Sequence, residues 1–143
     1  MKRLSMSNKL TTPQIAYLAG LFDGEGCVHI TIEHGIASSL TITIAQNDET
    51  PLRFAQELLG GVIHLRHEKS KNANYWKLHA NEAADFLRLV EPYLLVKKKD
   101  AKYGIKFQEL RESQKPRHSL TLQEIYDRNE ISKKIDKKVR VYK

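Results

Sequence analysis

Residues 17–26 have the sequence YLAGLFDGEG, and this stretch decides how the rest of the chain is interpreted. It begins as a helix, for which Thr12 is the predicted N-cap and Pro13 the first helical residue. Apolar side chains recur at helical spacing and predict one buried stripe, formed by Ile15, Leu18, Ala19 and Phe22. The stretch therefore predicts a helix that packs on a core and ends in a turn.

Three small residues, Ala16, Gly20 and Gly24, fall four positions apart on a neighbouring face of this helix. Small side chains at that spacing let a second helix approach closely. Two acidic residues, Asp23 and Glu25, follow at the helix end, where the helix dipole favours cations. The pair is unfavourable unless a cation joins it; a buried helix with a glycine-rich C-cap is the simpler alternative. The glycines on either side of the second acid are predicted to supply the unusual backbone angles of a tight helix exit.

The chain has 143 residues, enough for one domain with a sizeable core. Hydrophobic residues make up 41% of it and the mean hydropathy is -0.51, which is typical of a soluble globular protein. No apolar run approaches the roughly 20 residues that span a bilayer, and the N-terminus lacks the apolar core of a signal peptide, so no membrane partner is expected. The single Cys27 excludes an intramolecular disulfide. It favours an intracellular, reducing compartment, either the cytoplasm or an organelle matrix.

The net charge of +7 is unevenly distributed along the chain. Residues 1–96 carry 9 Lys/Arg and 10 Asp/Glu, whereas residues 97–143 carry 15 and 7, giving +8 in the second part. A basic block beside a balanced domain indicates a polyanionic partner, nucleic acid first and acidic lipid second. The alternative is a solvated, lysine-rich helical tail.

Two stretches after the first helix alternate between apolar and polar residues. Residues 27–33 and 39–44 predict an antiparallel hairpin with a turn at 34–38, apolar on one face and polar on the other. The predicted inward residues are Val28, Ile30, Ile32, Leu40, Ile42 and Ile44.

A second helix begins near Pro51, capped by Asp48 or Thr50, and Gly60-Gly61 stops it. A second hairpin follows around the loop 69–74. Its predicted inward residues are Ile63, Leu65, Trp76 and Leu78.

The last part of the chain is predicted to be helical. Asn81 is the predicted cap of a third helix, which Pro92 closes or kinks. Residues 97–112 form a basic helix, Lys115-Pro116-Arg117 breaks the chain, and one more amphipathic segment follows, carrying Leu122, Ile125, Ile131 and Ile135.

The predicted order is helix, two strands, helix, two strands, helix, which is an α+β fold with helices on one face of an antiparallel four-stranded sheet. Residues 18–26, LAGLFDGEG, closely resemble the signature of the LAGLIDADG homing endonucleases, and seven of nine positions match or are conservative. Phe22 and Gly24 replace Ile and Ala of that signature. The α-β-β-α-β-β-α core of the family, with its saddle-shaped sheet, is similar to the predicted order. The resemblance covers residues 10–112 and leaves 113–143 as a basic helical C-terminal extension.

Polar side chains line the outward face of the predicted sheet. In the family this face is the saddle that reads DNA, and the resemblance implies the same use here; a polar solvated sheet face is the alternative. Arg66 is the strongest candidate base reader, because a guanidinium can bond bidentately to guanine. The candidate DNA-binding residues are His29, Thr31, Glu33, Ser39, Thr41, Thr43, His64, Arg66, Glu68, Tyr75, Lys77 and His79.

The resemblance also implies a metal site at the end of the first helix. Glu25 matches the acid that binds Mg²⁺ in the family, with the backbone carbonyl of Gly24 assisting, and Asp23 matches an acid with a mainly structural role. Gln46 stands where the family often has a polar residue that organises the attacking water. Lys97 stands where a family lysine approaches the active site, although Lys98 and Lys99 fit almost as well, and contact with phosphate alone is the alternative.

One signature supplies one catalytic acid, so the single-motif chain is expected to form a homodimer along Ala16, Gly20, Asp23 and Gly24. A two-fold dimer implies a roughly palindromic target in double-stranded DNA. The leading hypothesis is a metal-dependent homing endonuclease that makes double-strand breaks at a long target. The alternative is a non-cleaving binder on the same scaffold, either an intron RNA maturase or a DNA-binding regulator.

Overall fold

A computed structural model describes residues 10–66, 73–114 and 119–135. Its helices are α1 (Thr12–Glu25), α2 (Glu49–Leu59), α3 (Ala80–Val90), α4 (Lys98–Ser113) and α5 (Leu122–Lys133), and a 3₁₀ turn covers Glu91–Tyr93. Its strands are β1 (Gly26–Glu33), β2 (Ile36–Gln46), β3 (Val62–His64) and β4 (Asn74–His79).

The strands form one antiparallel sheet in the order β1-β2-β4-β3. Alternate residues in the middle of the two central strands, Leu40, Ile42 and Ile44 of β2 and Trp76 and Leu78 of β4, are fully buried, and the helices contribute the rest of the same core. The core therefore lies between one face of the sheet and the helices, and the predicted α+β architecture is confirmed. Its largest buried side chains include Phe22, Leu40, Ile42, Ile44, Trp76, Phe86 and Phe107.

Two predicted helix caps are wrong. The N-cap of α1 is Thr11, not Thr12: its Oγ1 accepts from the Gln14 N–H at 3.3 Å, and the Gln14 Oε1 accepts from the Thr11 N–H at 2.9 Å. Asn81 lies inside α3, where it is buried and its Oδ1 accepts from the Nε2 of Gln108 at 3.2 Å. This asparagine joins α3 to α4 rather than capping a helix.

The first hairpin turns more tightly than predicted. His34 and Gly35 have φ values of 52° and 78° and form a two-residue turn, so β2 begins at residue 36 rather than 39. The register pairs Thr31 with Ser39 but Ile32 with Ala37, which leaves Ser38 as an extra residue in a β-bulge. The bulge interrupts the alternation, and Ile32, predicted to point inward, is 50% exposed.

The second hairpin is shorter than predicted. β3 ends at His64, and Leu65, predicted to point inward, lies beyond it and is 50% exposed. Asn74, placed in the connecting loop by its sequence, is instead the first residue of β4 and is buried. Glu68, a predicted DNA contact, lies outside the described residues.

Glycine is required at position 26, just after α1, because a side chain there would collide with its neighbours, and not because of unusual backbone angles. Gly26 has φ -92° and ψ 167°, an extended conformation open to any residue, so the predicted need for unusual angles there is wrong. A Cβ on Gly26 would instead collide with the ring of Phe22 and lie 2.6 Å from its carbonyl oxygen. The glycine lets β1 leave α1 directly over a core phenylalanine.

The C-terminal helices are attached to the same core. α5 packs against α4 and β2, and its Ile131, together with Ile135 just beyond its end, belongs to the core cluster. The predicted break at Lys115-Pro116-Arg117 lies outside the described residues. None of the helices within the described ranges is both long enough and apolar enough to cross a membrane.

Candidate active site and nucleic-acid interface

Glu25 is the last residue of α1, and its side chain is exposed. The next residue, Gly26, begins β1 and pairs with Ile44 in β2. The carboxylate therefore stands at one end of the sheet, where α1 meets the first two strands. Gly24 beside it is also exposed, so both predicted metal-binding residues face outward from the fold.

Asp23 binds the segment that leads into α4. Its carboxylate accepts hydrogen bonds from the backbone N–H groups of Leu95 at 2.7 Å, Val96 at 3.1 Å and Lys97 at 2.9 Å. The N-cap residue of α4, Lys97, makes no side-chain capping bond of its own. An acid near a helix N-terminus also interacts favourably with the helix dipole. Asp23 therefore holds the beginning of α4 against the end of α1.

Lys97 lies at the same end of α1. Its Nζ donates to the backbone carbonyl oxygen of Asp23 at 2.6 Å, one of the terminal carbonyls that a helix cannot satisfy itself. Lys98 instead donates to the carbonyl and the carboxylate of Glu91, at 3.0 and 3.1 Å. Of these two neighbouring lysines, it is therefore Lys97 whose side chain binds the end of α1. Lys99 is exposed on the first turn of α4.

Gln46 is the last residue of β2 and is half-buried. It lies two residues beyond Ile44, the partner of Gly26, so it stands at the same end of the sheet as Glu25. Its neighbour Asn47 is fixed by Asn74, whose Nδ2 donates to the Asn47 carbonyl at 3.0 Å. The Oδ1 of that asparagine accepts from the backbone N–H of Arg66 at 2.8 Å.

Asn74 thus joins the ends of three strands and was missed by sequence reasoning. The available signal was its place in the alternation with Trp76 and Leu78, which puts a polar side chain on the inward face. An inward asparagine at a strand end has to satisfy its amide, and here it does so on the backbone of two neighbouring segments.

The outward face of the sheet brings together most of the predicted DNA-binding residues. One row crosses the three longest strands as His29, Thr41 and His79, and the Thr41 Oγ1 lies 3.1 Å from the His79 Nδ1. Thr41 is buried between its neighbours, whereas His79 is exposed. Thr31 and Ser39 form a second pair nearer the turn, and the polar face thus extends along the whole hairpin.

A second group lies on β3 and β4. The rings of His64 and Tyr75 stack with centroids 5.0 Å apart, and the Nζ of Lys77 lies 5.0 Å from the Tyr75 centroid. Lys77 pairs with Thr43 on β2, which places this group beside the central row. Arg66 is exposed but lies beyond the end of β3, so its register with the other strands is not fixed by the sheet.

The matches with known proteins agree with this architecture. The family model for the LAGLIDADG-like domain matches residues 12–93. The chain belongs to the LAGLIDADG family. It carries a single copy of the motif, as predicted from residues 18–26. No curated protein matches the chain.

Several solved structures share the fold of this LAGLIDADG protein. The archaeal intron-encoded homing endonuclease I-Vdi141I, complexed with DNA, is 19% identical, with 91% of this chain and 89% of that chain covered and a TM-score of 0.69. The homing endonuclease I-CvuI, in complex with its target in the presence of Ca, is 20% identical, with 87% and 83% covered and a TM-score of 0.65. The meganuclease I-SmaMI, bound to uncleaveable DNA, is 18% identical, with 89% of this chain but 46% of that chain covered and a TM-score of 0.70.

The donor set of this LAGLIDADG protein suits a hard cation only when other ligands are added. Among the described residues of one chain, no group of three or more His, Cys, Asp or Glu side chains could hold a metal ion. Mg²⁺ takes oxygen ligands, keeps several waters and is commonly bound by one or two carboxylates plus substrate phosphates. An exposed Glu25 beside the backbone of Gly24 fits that mode, with the remaining positions left to water, phosphate and a second carboxylate.

Proposed function

We propose that this protein is a homodimeric, Mg²⁺-dependent DNA endonuclease that makes double-strand breaks at a long, roughly palindromic target. The observation that carries the proposal is the arrangement at the end of α1. There the ammonium of Lys97 binds the backbone carbonyl of Asp23, two residues before the exposed carboxylate of Glu25. The polar face of the sheet begins beside them.

The arrangement suits hydrolysis of a phosphodiester. Mg²⁺, when bound, supplies a more acidic water and neutralises charge on the phosphate. Glu25 and the Gly24 carbonyl would hold the cation, and Gln46 would orient the attacking water. Lys97 stabilises the negative charge that develops on the phosphate and its leaving oxygen.

A second copy of the chain supplies the second carboxylate. The exposed face of α1 carries Ala16, Gly20 and Gly24, and apart from the backbone of α1 itself no heavy atom of the described residues lies within 4 Å of where a Cβ would stand on either glycine. Two apolar side chains in the segment before α4, Leu95 and Val96, are 88% and 77% exposed. The chain spans less than half of the I-SmaMI chain, which leaves room there for two copies of this fold.

The outward sheet face supplies the contacts to double-stranded DNA. Antiparallel strands can enter a major groove, where each base pair presents a distinct pattern of donors and acceptors. His29, Thr31, Thr43, Lys77 and His79 present such groups on this side of the sheet. The positive charge of residues 97–143 favours binding to the phosphate backbone.

The decisive test separates cleavage from binding. The target is first isolated by incubating the protein and Mg²⁺ with a randomised duplex library and sequencing the ends produced. Glu25→Gln keeps the size of the side chain but removes its charge, so cleavage in Mg²⁺ should fall by orders of magnitude while gel-shift affinity in Ca²⁺ is kept. Glu57→Gln makes the same chemical change on an exposed part of α2 and should cut like the wild type.

Two outcomes would contradict the proposal. A Glu25→Gln protein that cuts at the wild-type rate would remove this residue from the mechanism. A wild-type protein that binds a defined sequence but produces no ends in Mg²⁺ or Mn²⁺ would favour the non-cleaving binder.

A further inference from the structure

Within the described residues, the first half of β2 has a neighbouring strand on one side only. β2 runs from Ile36 to Gln46, but β4 pairs with it only from Thr41 onward. One edge of residues 36–40 is therefore not covered by any described strand. A strand edge left open exposes unpaired N–H and C=O groups and is free to bend.

Side chains from α5 take the place of the missing strand. The Oδ1 of Asn129 accepts from the Ala37 N–H at 2.8 Å, and its Nδ2 donates to the Gly35 carbonyl at 2.8 Å. These two backbone groups flank residue 36 and point to the same side of the strand, as a pair in a sheet ladder does. The Asn129 amide therefore binds the edge as one residue of an adjacent strand would.

Two arginines hold the neighbouring carbonyls. Arg128 donates from NH1 to the Ala37 carbonyl at 3.3 Å and from Nε to the Oε1 of Gln114 at 2.6 Å, and it is 4% exposed. Arg111 of α4 donates from Nε to the carbonyl of Ser38, the bulge residue, at 2.6 Å. Burial, reinforced by the charge of Arg111, lowers the pKa of Arg128 from its ordinary value. The contact is thus maintained against an electrostatic cost.

Residues 35–38, which Asn129, Arg128 and Arg111 hold and which we call the clamped segment, form the far end of the hairpin β1–β2. This hairpin is the part of the sheet proposed to read DNA. β1 begins at Gly26 beside the catalytic acid and ends at Glu33. Seven steps of about 3.3 Å place the turn about 23 Å from Glu25, or about seven base pairs along a duplex. Thr31, Glu33 and Ser39 are the predicted base readers nearest this end.

We propose that α5 positions the end of the reading hairpin and that Asn129 is a positioning residue for base specificity at the outer base pairs of each half-site. The inference rests on the proposed function and extends it to a helix outside the matched family region, residues 12–93. Asn129 acts through the backbone of residues 35–37 and needs no contact with DNA itself.

The test compares Asn129→Ala with Gln123→Ala, which removes the same kind of amide from an exposed position on the same helix. The exchange rate of the Ala37 amide hydrogen, measured by NMR without DNA, reports whether Asn129 holds this segment. Loss of one hydrogen bond should speed that exchange by about threefold to tenfold, while the amides of residues 42–44 keep their protection. Asn129→Asp keeps an acceptor for the Ala37 N–H and should preserve its protection, so it serves as the control that separates loss of this hydrogen bond from any other change at residue 129.

The second part of the test measures base specificity. Each variant selects its target from a randomised duplex library, and base preference is scored position by position. The proposal predicts that Asn129→Ala relaxes preference at the outer positions only, whereas Gln123→Ala matches the wild type.

Each outcome separates the clamp from the endonuclease function. Unchanged exchange at Ala37 overturns the clamp whatever happens on DNA. Faster exchange with an unchanged preference profile, or with an equal loss at every position, overturns the specificity role. A wild type that selects no sequence refutes the proposed function and the specificity role together, while the exchange result still decides whether Asn129 holds the hairpin.

Discussion

Asp23 and Glu25 lie two positions apart at the end of α1, and side chains with that spacing do not face each other on a helix. One carboxylate turns towards the chain and receives three backbone N–H groups, and the other is exposed. The repulsion between the two carboxylates at the helix end is thereby reduced. Asp23 meets the N-terminus of α4 and the ammonium of Lys97 lies nearby, while Glu25 remains available for a cation.

Asp23→Ala should destabilise the fold and displace Lys97. It leaves the N–H groups of residues 95–97 without this acceptor, and loss of a capping acid costs about 1–2 kcal/mol of unfolding free energy. Urea unfolding measures the loss, with Asp127→Ala on α5 as the control. Cleavage at saturating DNA should fall further than the folded fraction does, because Lys97 is no longer held at the end of α1. Equal stability of the two variants would refute this role for Asp23.

The sequence predicts the type of these residues better than their geometry. The motif places Glu25 and Asp23 at the helix end. Three consecutive lysines follow at positions 97–99, and the sequence does not say which of them lies near that end. Only the turn between Tyr93 and α4 decides that Lys97 meets α1 and that Lys98 meets Glu91. Likewise, the sequence suggests that glycine is required at position 26 but does not give the reason. The structure shows that the ring of Phe22 leaves no room for a side chain there.

At the scale of elements, alternation predicts strands well until the register slips. Leu40, Ile42 and Ile44 are buried as predicted, whereas Ile32, one residue from the end of β1 and next to the register shift, is exposed. The position of a bulge is hard to predict from a sequence, because it is the insertion of a single residue with no side-chain pattern of its own. Inward polar residues mislead in the same way: Asn81 resembles a cap by sequence, but its partner is Gln108 on another helix.

The start of α2 provides a pH-dependent cap. The Asp48 side chain accepts from the Thr50 N–H at 2.9 Å, and this backbone hydrogen bond, with a further one from the Thr50 side chain, holds the pKa of Asp48 below its usual 3.8. Since the folded pKa is the lower one, the contribution of the charged cap is complete above about pH 4. It is lost as the pH falls through the depressed value.

Asp48→Asn should therefore change the pH dependence of stability. Asparagine also caps helices but does not titrate, so the difference in unfolding free energy between wild type and variant should change between pH 5 and pH 2 and be constant above pH 5. Urea titrations at several pH values measure it, with Asp127→Asn, at a half-buried position on α5, as the control. A difference that does not vary below pH 5 would exclude Asp48 as the titrating cap.

For the whole molecule, the division at residue 112 does not separate two independent packing units. The segment 113–143 was predicted from charge as a basic extension, but its Ile131 and Ile135 belong to the core and its Asn129 binds the hairpin. The loose amphipathic pattern of that segment predicts which of its residues are buried, but it does not predict the surface against which they pack. A deletion of α5 would therefore expose core residues as well as remove positive charge, which makes point variants the better probes.

The open face of α1 leads to the last prediction, that the protein is a dimer whose contact excludes a side chain at Gly20. Among the residues that the structure describes, and apart from the backbone of α1 itself, no heavy atom lies within 4 Å of a Cβ built there. Glycine inside a helix is about 1 kcal/mol less favourable than alanine. Gly20→Leu should consequently leave the folding of a single chain intact. Overpacking of two close helices costs about 1–3 kcal/mol, so the dissociation constant should rise by about fivefold to 150-fold.

Sedimentation at micromolar concentration distinguishes the two effects. The wild type and Gln123→Leu, which adds a leucine to the exposed surface of α5, should sediment as dimers. Gly20→Leu should sediment as a folded monomer with the circular dichroism of the wild type. A leucine variant that remains fully dimeric would place the interface on another surface, and a wild type that is monomeric both with and without its DNA target would exclude the dimer. Because each chain carries a single Glu25, the same variant should also lose double-strand cleavage at concentrations where it is monomeric.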